Sequence, residues 1–355
     1  MAHPLVEAAR TLSGTLLAPA AATVDVATVP SSHLDALAAA GLFGAAAQGV
    51  PPLVQYEVGE LLAAGCGPTW FVWAQHPLAL VGASDNRVLR RRLLDDLCTG
   101  RRRGGIAVAH LRRRPSPVTA TRVDGGWRVD GHVPWITGWG LIDVVALGAV
   151  TADGDVIMAA VPAEPGPRLV VSPPLRLAAM GAAATVTADC DGLFVRDVDV
   201  IIRLPIEIWR CQDAARAANA VPAVFGIASA AVAALARTPD ALPLANGLSE
   251  AIDRCRGAVH RLMEHTAAES PWTNGWPFEP RLCIWVSVPP QHWLPPWGAG
   301  RCPSNSPLNA GREKCCSSSS RRKLRRAGRQ CSSSSGRSVM QDGPSGDRRL
   351  RVFGS

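Results

Sequence analysis

Apolar residues recur at three- and four-residue spacing through the first hundred positions, which predicts helices. The opening "MAHPLVEAARTLSGTLLAPAAATV" reads as an amphipathic helix; it has no basic flank leading into a continuous apolar run, unlike a secretory leader. "SSHLDALAAAGLFG" predicts a helix capped by Ser32, with Leu34, Leu37 and Ala38 apolar and Gly41 where a C′ glycine belongs. "YEVGELLAAG" is a further amphipathic piece. "GPTWFVWAQHPLALVGA" is apolar nearly all round and therefore expected to be buried, and "NRVLRRRLLDDLCTG" stops at Gly100.

The period changes at Gly104. "GIAVAH", "VTATRV", "GWRVDGHVPW", "DVVALGAV", "DVIMAAVP", "RLVVSP", "ATVTADC" and "LFVRDVDV" are short, rich in Val and Thr, and separated by Gly, Asp and Pro. They predict an antiparallel sheet, with hairpin turns at Gly125-Gly126 and in "TADGD" and a further turn at Asp130-Gly131. Helical spacing returns after Pro205. "EIWRCQDAARAANAVPAVFGIASAAVAALAR" predicts a long helix broken near Pro222, and "NGLSEAIDRCRGAVHRLMEHTAAE" another, capped by Asn246 or Ser249. The fold class expected is α+β: a helical N-terminal domain (1–103), a middle β domain (104–205) and a partial C-terminal helical bundle (206–270).

Charge and cysteine separate residues 271–355 from the rest. That segment holds 12 Arg and 2 Lys against 4 acids, whereas the first 270 residues carry 23 basic and 25 acidic groups. The body therefore offers no electrostatic reason to expect a nucleic-acid partner. Five cysteines (Cys66, Cys98, Cys190, Cys211, Cys255) are scattered through the body as expected of buried thiols, and five more crowd beyond residue 280. No His/Cys spacing matches a zinc site, so no metal is expected. Serine runs, Cys315-Cys316 and "RRKLRRAGR" give the last segment two readings: a basic low-complexity tail, or an out-of-frame reading of a GC-rich gene. Val221–Leu235, the longest apolar stretch, is interrupted by Pro222, Gly226 and Ser229 and falls short of a membrane span. A cytoplasmic protein is expected.

"VTATRVDGGWRVDGHVPWITGWGLIDVVALGAV", with its Trp135-Ile136-Thr137 turn, resembles the central segment of the acyl-CoA dehydrogenase family. "GLFVRDVDV" is similar to the end of that family's middle domain, and "VPAVFGIASAAVAAL" to the first long helix of its C-terminal bundle; the resemblance covers roughly residues 5–268. It implies FAD as cofactor. Trp135 would lie against the flavin ring, Ile136 beside it, and Thr137 would hydrogen-bond near the reactive edge. Ala109 and His110 would offer main-chain groups where the family has a Thr-Glu-Pro…Gly-Ser-Asp segment, which here becomes "HLRRRPSP". Arg112, Arg113 and Arg114 then read either as a solvated loop or as partners of a phosphate.

The resemblance also implies an acyl-CoA or related small-molecule substrate, an electron-transfer partner, and a homo- or hetero-oligomer without nucleic acid or membrane. Desaturation needs a carboxylate near the α-proton. The family's late position falls beyond residue 270, and its alternative in the first bundle helix matches Ala215 or Arg216, with Glu207 and Asp213 up to about two turns earlier. Two other readings stay open: a reduced-flavin-dependent monooxygenase of the same fold, which needs no such base, and a non-catalytic partner subunit. His76, alone in an apolar segment, reads as structural.

Overall fold

The computed structural model describes residues 2–47, 49–217 and 221–269. The basic segment 271–355, and with it the late-bundle position of a carboxylate, lies outside the described residues.

The N-terminal helices are α1 (Pro4–Leu12), α2 (Ala18–Asp25), α3 (Ser31–Ala39), α4 (Pro52–Gly65), α5 (Gly67–Ala74), α6 (Leu78–Gly82) and α7 (Arg87–Thr99). A π-helical turn, Ser13–Leu17, joins α1 to α2, so the opening segment is helical almost throughout. It is pinned where Ser13 Oγ donates to the Leu61 carbonyl of α4 at 2.8 Å. Ser32 does not cap α3: the helix begins at Ser31, behind Pro30, with no side-chain cap. Gly41 does take the left-handed conformation (φ 72°) that ends it.

The strands are β1 (Gly104–Ala107), β2 (Val118–Val123), β3 (Gly126–Ile136), β4 (Val144–Thr151), β5 (Asp155–Pro162), β6 (Leu169–Val171), β7 (Val186–Arg196) and β8 (Val200–Pro205). Their order is β6-β7-β3-β2-β4-β5-β8, with β1 beside β4. Most pairs are antiparallel, as the short Val/Thr segments predict. Two are parallel: β1 and β2 share one edge of β4, β1 at Val144–Leu147 and β2 at Val150 and Thr151.

One predicted turn becomes continuous strand. Asp130-Gly131 lies inside β3, at a register shift against β7 rather than at a chain reversal. Glycine is required there, because a Cβ on Gly131 (φ 123°) would fall 1.9 Å from the Pro117 carbonyl. "ATVTADC" and the first half of "LFVRDVDV" merge into β7, which ends at Arg196; Asp197–Asp199 is a 3-10 turn, and β8 is a separate strand that the sequence pattern did not isolate. "GIAVAHLRRRPSP" does the opposite. It is strand only to Ala107, then a 3-10 turn at Ala109–Arg112.

The C-terminal helices are α8 (Ile206–Ala217), α9 (Pro222–Leu235) and α10 (Leu242–Glu269). The predicted break falls at Val221, held extended (φ −81°, ψ 130°) by the proline that follows it. α10 starts at Leu242, upstream of both predicted caps. α9 lies so close to α4 that a Cβ on Gly226 would come within 2.2 Å of the Glu60 carbonyl. Arg256 of α10 adds an ion pair to Glu60 at 2.7 Å and a hydrogen bond to Ser229 at 2.9 Å. Cys66 and Cys190 are buried as expected, but Cys255 is exposed. Among the described residues, no helix is long and apolar enough to cross a membrane.

Candidate functional site at the end of the third strand

β3 carries Pro134, Trp135 and Ile136 at its C-terminal end and runs straight into "TGWG". Alternation along the strand turns Ile136 inward, where it is fully buried, and leaves Trp135 outward. Trp135 is 46% exposed, the one exposed tryptophan among the described residues; Trp127, eight positions earlier, is only 6% exposed. Immediately beyond the strand, Thr137 is buried and its Oγ1 lies 3.0 Å from Oγ1 of Thr185.

Thr185 was not legible as a site residue. It follows a tight loop in which Met180 (φ 60°) and Ala184 (φ 47°) are left-handed without being glycine, a conformation that costs roughly 1–2 kcal/mol each. Three successive carbonyls hold that loop. Ala182 accepts from the Val29 N–H at 3.0 Å, Ala183 from Gly138 at 2.8 Å and Ala184 from Trp139 at 3.1 Å. The last two bonds fix the turn that carries Thr137. Met180 reaches α5 and α9: its side chain and that of Ile227 both lie within 4 Å of where a Cβ on Gly67 would be. The exposed indole therefore stands near a junction of sheet, N-terminal helices and α9. Only the run of small residues "MGAAAT" hints in sequence at such a loop.

Ala109 and His110 are placed differently. Gly105, opposite Val145 of β4, is beside the Thr137 carbonyl. His110 is anchored to Gly148, three residues farther along β4, an offset of about 10 Å. Its ring is buried, and Nε2 donates to the Gly148 carbonyl at 2.6 Å, while Nδ1 has no hydrogen-bond partner. Gly148 sits in the gap between the β1 and β2 pairings, so the imidazole takes up a ladder acceptor that neither strand reaches. Burial pushes its pKa down, against the pull of that carbonyl. The His110 side chain is thus a sheet fixture, and Ala109 is half-buried in the adjoining 3-10 turn.

The arginines that follow are not a free loop. Arg112 forks onto Asp213 at 2.6 and 2.9 Å, and Arg114 reaches Glu207 at 2.9 Å. Arg210 also donates to Glu207 at 2.7 Å, and the bonds from Arg210 and Arg114 lower that carboxyl's pKa. Both acids near the first bundle helix are therefore committed to guanidinium groups. Asp143 is structural too: it accepts from the Arg103 N–H at 2.7 Å and returns its own N–H to the Arg103 carbonyl at 2.8 Å.

A groove of about 600 Å³ opens at the opposite end of β3, lined by Asn86, Arg122, Trp127, Asp197 and Arg203. Its arginines are satisfied internally. Arg122 pairs with Asp197 and Arg203 with Asp155, and both guanidiniums lie over the Trp127 ring at 5.0 and 5.4 Å. That indole is already covered, unlike Trp135.

Helices, a mostly antiparallel sheet and a second helical set, with a tryptophan–threonine turn at the sheet's end, define an acyl-CoA dehydrogenase-like fold, and solved structures agree. Butyryl-CoA dehydrogenase from Megasphaera elsdenii is similar at TM-score 0.63 and 15% identity, over 76% of this chain and 80% of that one. A glutaryl-CoA dehydrogenase from Mycobacterium smegmatis in complex with FADH2 is similar at TM-score 0.60 and 17% identity, over 76% and 77%. A probable acyl-CoA dehydrogenase from Mycobacterium abscessus gives 0.61 and 18%, over 75% and 80%. No family model and no curated protein sequence matches the chain.

Proposed function

We propose that the protein is an FAD-binding oxidoreductase of the acyl-CoA dehydrogenase type, with the flavin ring seated on Trp135. The observation that carries the reading is the exposed indole beside a buried hydroxyl pair, in a protein that otherwise covers its described tryptophans. The residues fit the group. The indole is a large flat apolar face suited to an aromatic ring. Each threonine hydroxyl has one donor and two acceptor sites, so their mutual bond leaves capacity for a flavin heteroatom. Similarity to a structure holding FADH2 supports the same choice.

When bound, FAD supplies the hydride acceptance. Trp135 would cover the ring, Ile136 would hold that indole outward from the core, and Thr137, oriented by Thr185, would fix a polar edge. Ala109 and His110 would contribute through the backbone of their 3-10 turn. In this reading the substrate is an acyl-CoA undergoing α,β-desaturation, with an electron-transfer partner reoxidising the flavin and the C-terminal helices supporting an oligomer. The engaged state of Glu207 and Asp213 favours a second reading: reduced-flavin monooxygenation, which asks for no α-proton base.

The deciding experiment is the absorption spectrum of the purified protein with and without added FAD. A bound-flavin band that disappears in the Trp135→Ala/Thr137→Ala double variant supports the reading. A folded protein that never takes up FAD would sink it. Acyl-CoA-dependent bleaching of the band then points to desaturation, and oxygen consumption with reduced flavin to the second reading.

A further inference from the structure

The pairing of β3 with β7 slips a second time at Trp135. Val133 stands opposite Ala188 and Ile136 opposite Val186, so Pro134 and Trp135 together face the single residue Thr187. An extra residue of this kind re-aims the side chains beside it. Val133, Ala188, Ile136 and Val186 are all buried on one face of the sheet. Trp135 and the cross-strand pair His132 and Asp189 are therefore left on the other face, where all three are exposed. Three strand positions, roughly 7–10 Å across the bulge, separate His132 from the indole.

The pair is built as a buttressed imidazole. Nδ1 of His132 lies 2.7 Å from Oδ1 of Asp189. An ionised carboxylate only accepts, so the neutral ring donates its Nδ1–H and presents Nε2 as an acceptor. Nε2 has no hydrogen-bond partner among the described residues. The neighbouring charges are engaged elsewhere. Asp130 of β3 accepts from the Gly192 N–H at 2.7 Å and from Arg128 at 3.2 Å, and Asp191 of β7 has Arg168 at 3.8 Å. On the far side of Asp189, β6 sets only the apolar Val170 opposite it.

We propose that His132 is a further cofactor-contact residue, whose Nε2 accepts a hydrogen bond from the imide N3–H of the flavin ring seated on Trp135, and that Asp189 is the positioning residue that fixes its tautomer. The inference rests on the flavin reading above and adds a contact to it. The match is one of hydrogen-bond sense. An oxidised flavin ring carries several nitrogen and oxygen acceptors, which a threonine hydroxyl can serve as donor. Its one ring N–H needs an acceptor, and Nε2 is held as one. The dyad lies on the N-terminal side of the indole and Thr137 on the C-terminal side, so the two contacts do not compete for one edge of the ring.

The test is the affinity of the purified full chain for FAD and for FAD methylated at N3, measured by titration of flavin fluorescence. The native chain should bind the methylated flavin about tenfold more weakly, since the donor is lost and its acceptor is left covered. His132→Ala should bind FAD about tenfold more weakly than the native chain and should no longer distinguish the two flavins. His132→Gln, whose amide carbonyl also accepts, should restore the distinction. Asp189→Ala frees the ring and should weaken it. Both positions are exposed, so the variants should fold, which circular dichroism checks. A change in packing alone would weaken both flavins equally. Trp135-dependent uptake of both flavins with equal affinity, or a distinction that survives His132→Ala or Asp189→Ala undiminished, would overturn the inference and leave the flavin reading standing. A folded native chain that takes up neither flavin would overturn both.

Discussion

Thr137 and Thr185 share a hydrogen bond of 3.0 Å between side chains that the sequence places 48 residues apart, both of them buried. Neither hydroxyl would be tolerated there alone. The pair joins the end of β3 to the start of β7, at the point where the loop 180–185 locks the Trp135 turn.

This coupling predicts a non-additive mutant cycle. Thr185→Val leaves the Thr137 hydroxyl buried without its partner and should cost about 1–3 kcal/mol. Thr137→Val should cost a similar amount. The double Val variant should be less destabilised than either single change by about 1 kcal/mol or more, because no unpaired group remains. Urea unfolding of the four proteins measures the coupling, and additive losses would contradict it. FAD uptake, if Thr137 meets the flavin, should fail in the stable double variant as well.

His76 predicts an acid-side loss of stability. The Gly104 N–H donates to its Nδ1 at 3.2 Å, and Nε2 donates to the Leu97 carbonyl at 3.0 Å, so the neutral ring ties α7 to the start of β1. Burial lowers its pKa to about 4, partly offset by the Leu97 carbonyl. The unfolded chain, with an ordinary histidine near 6.5, binds the proton first as pH falls. Stability is therefore full above about 6.5 and declines toward pH 4, by about 3 kcal/mol in all. Burial depresses His33 and His110 in the same direction, so the readout is the difference between proteins. In His76→Gln the slope of unfolding free energy between pH 4 and 6.5 should be shallower. An unchanged slope would show that this ring is not what acid attacks.

Gly131 and Gly140 both have positive φ, yet they should respond unequally to alanine. At Gly140 a Cβ meets nothing within 4 Å, leaving only the conformational cost of about 1 kcal/mol. At Gly131 the Cβ would overlap the Pro117 carbonyl, backbone that has to move, and the loss should be about 3 kcal/mol or more. Thermal melts of the two variants separate these outcomes.

The Glu60–Arg256 pair is mostly shielded from solvent and holds α10 on α4. Arg256→Ala leaves Glu60 facing α9 without its cation and should cost about 2–3 kcal/mol, discounted from the fully buried range for its partial exposure. Glu60→Gln with Arg256→Met removes both charges and should recover at least half of that loss. Chemical denaturation of the single and double variants decides it.

Sequence alone determined the elements whose signal is local. Helical spacing over the first hundred residues, the change of period at Gly104 and the break near Pro222 all depend on a residue's near neighbours, and each stands where the pattern put it. Tertiary structure decided what depends on distant chain. Whether Asp130-Gly131 is a turn or a bulge was set by β7 pairing across it and by the Pro117 carbonyl against Gly131. Whether "AHLRRR" continues as strand was set by His110 reaching Gly148 in the gap between two parallel pairings. Arg112 and Arg114 look free in sequence; the fold brings Asp213 and Glu207, about a hundred residues away, to meet them. Thr185 had no local signature, because its role exists only through Thr137. Periodicity records which face of an element is covered, but only the packed chain determines which partner covers it.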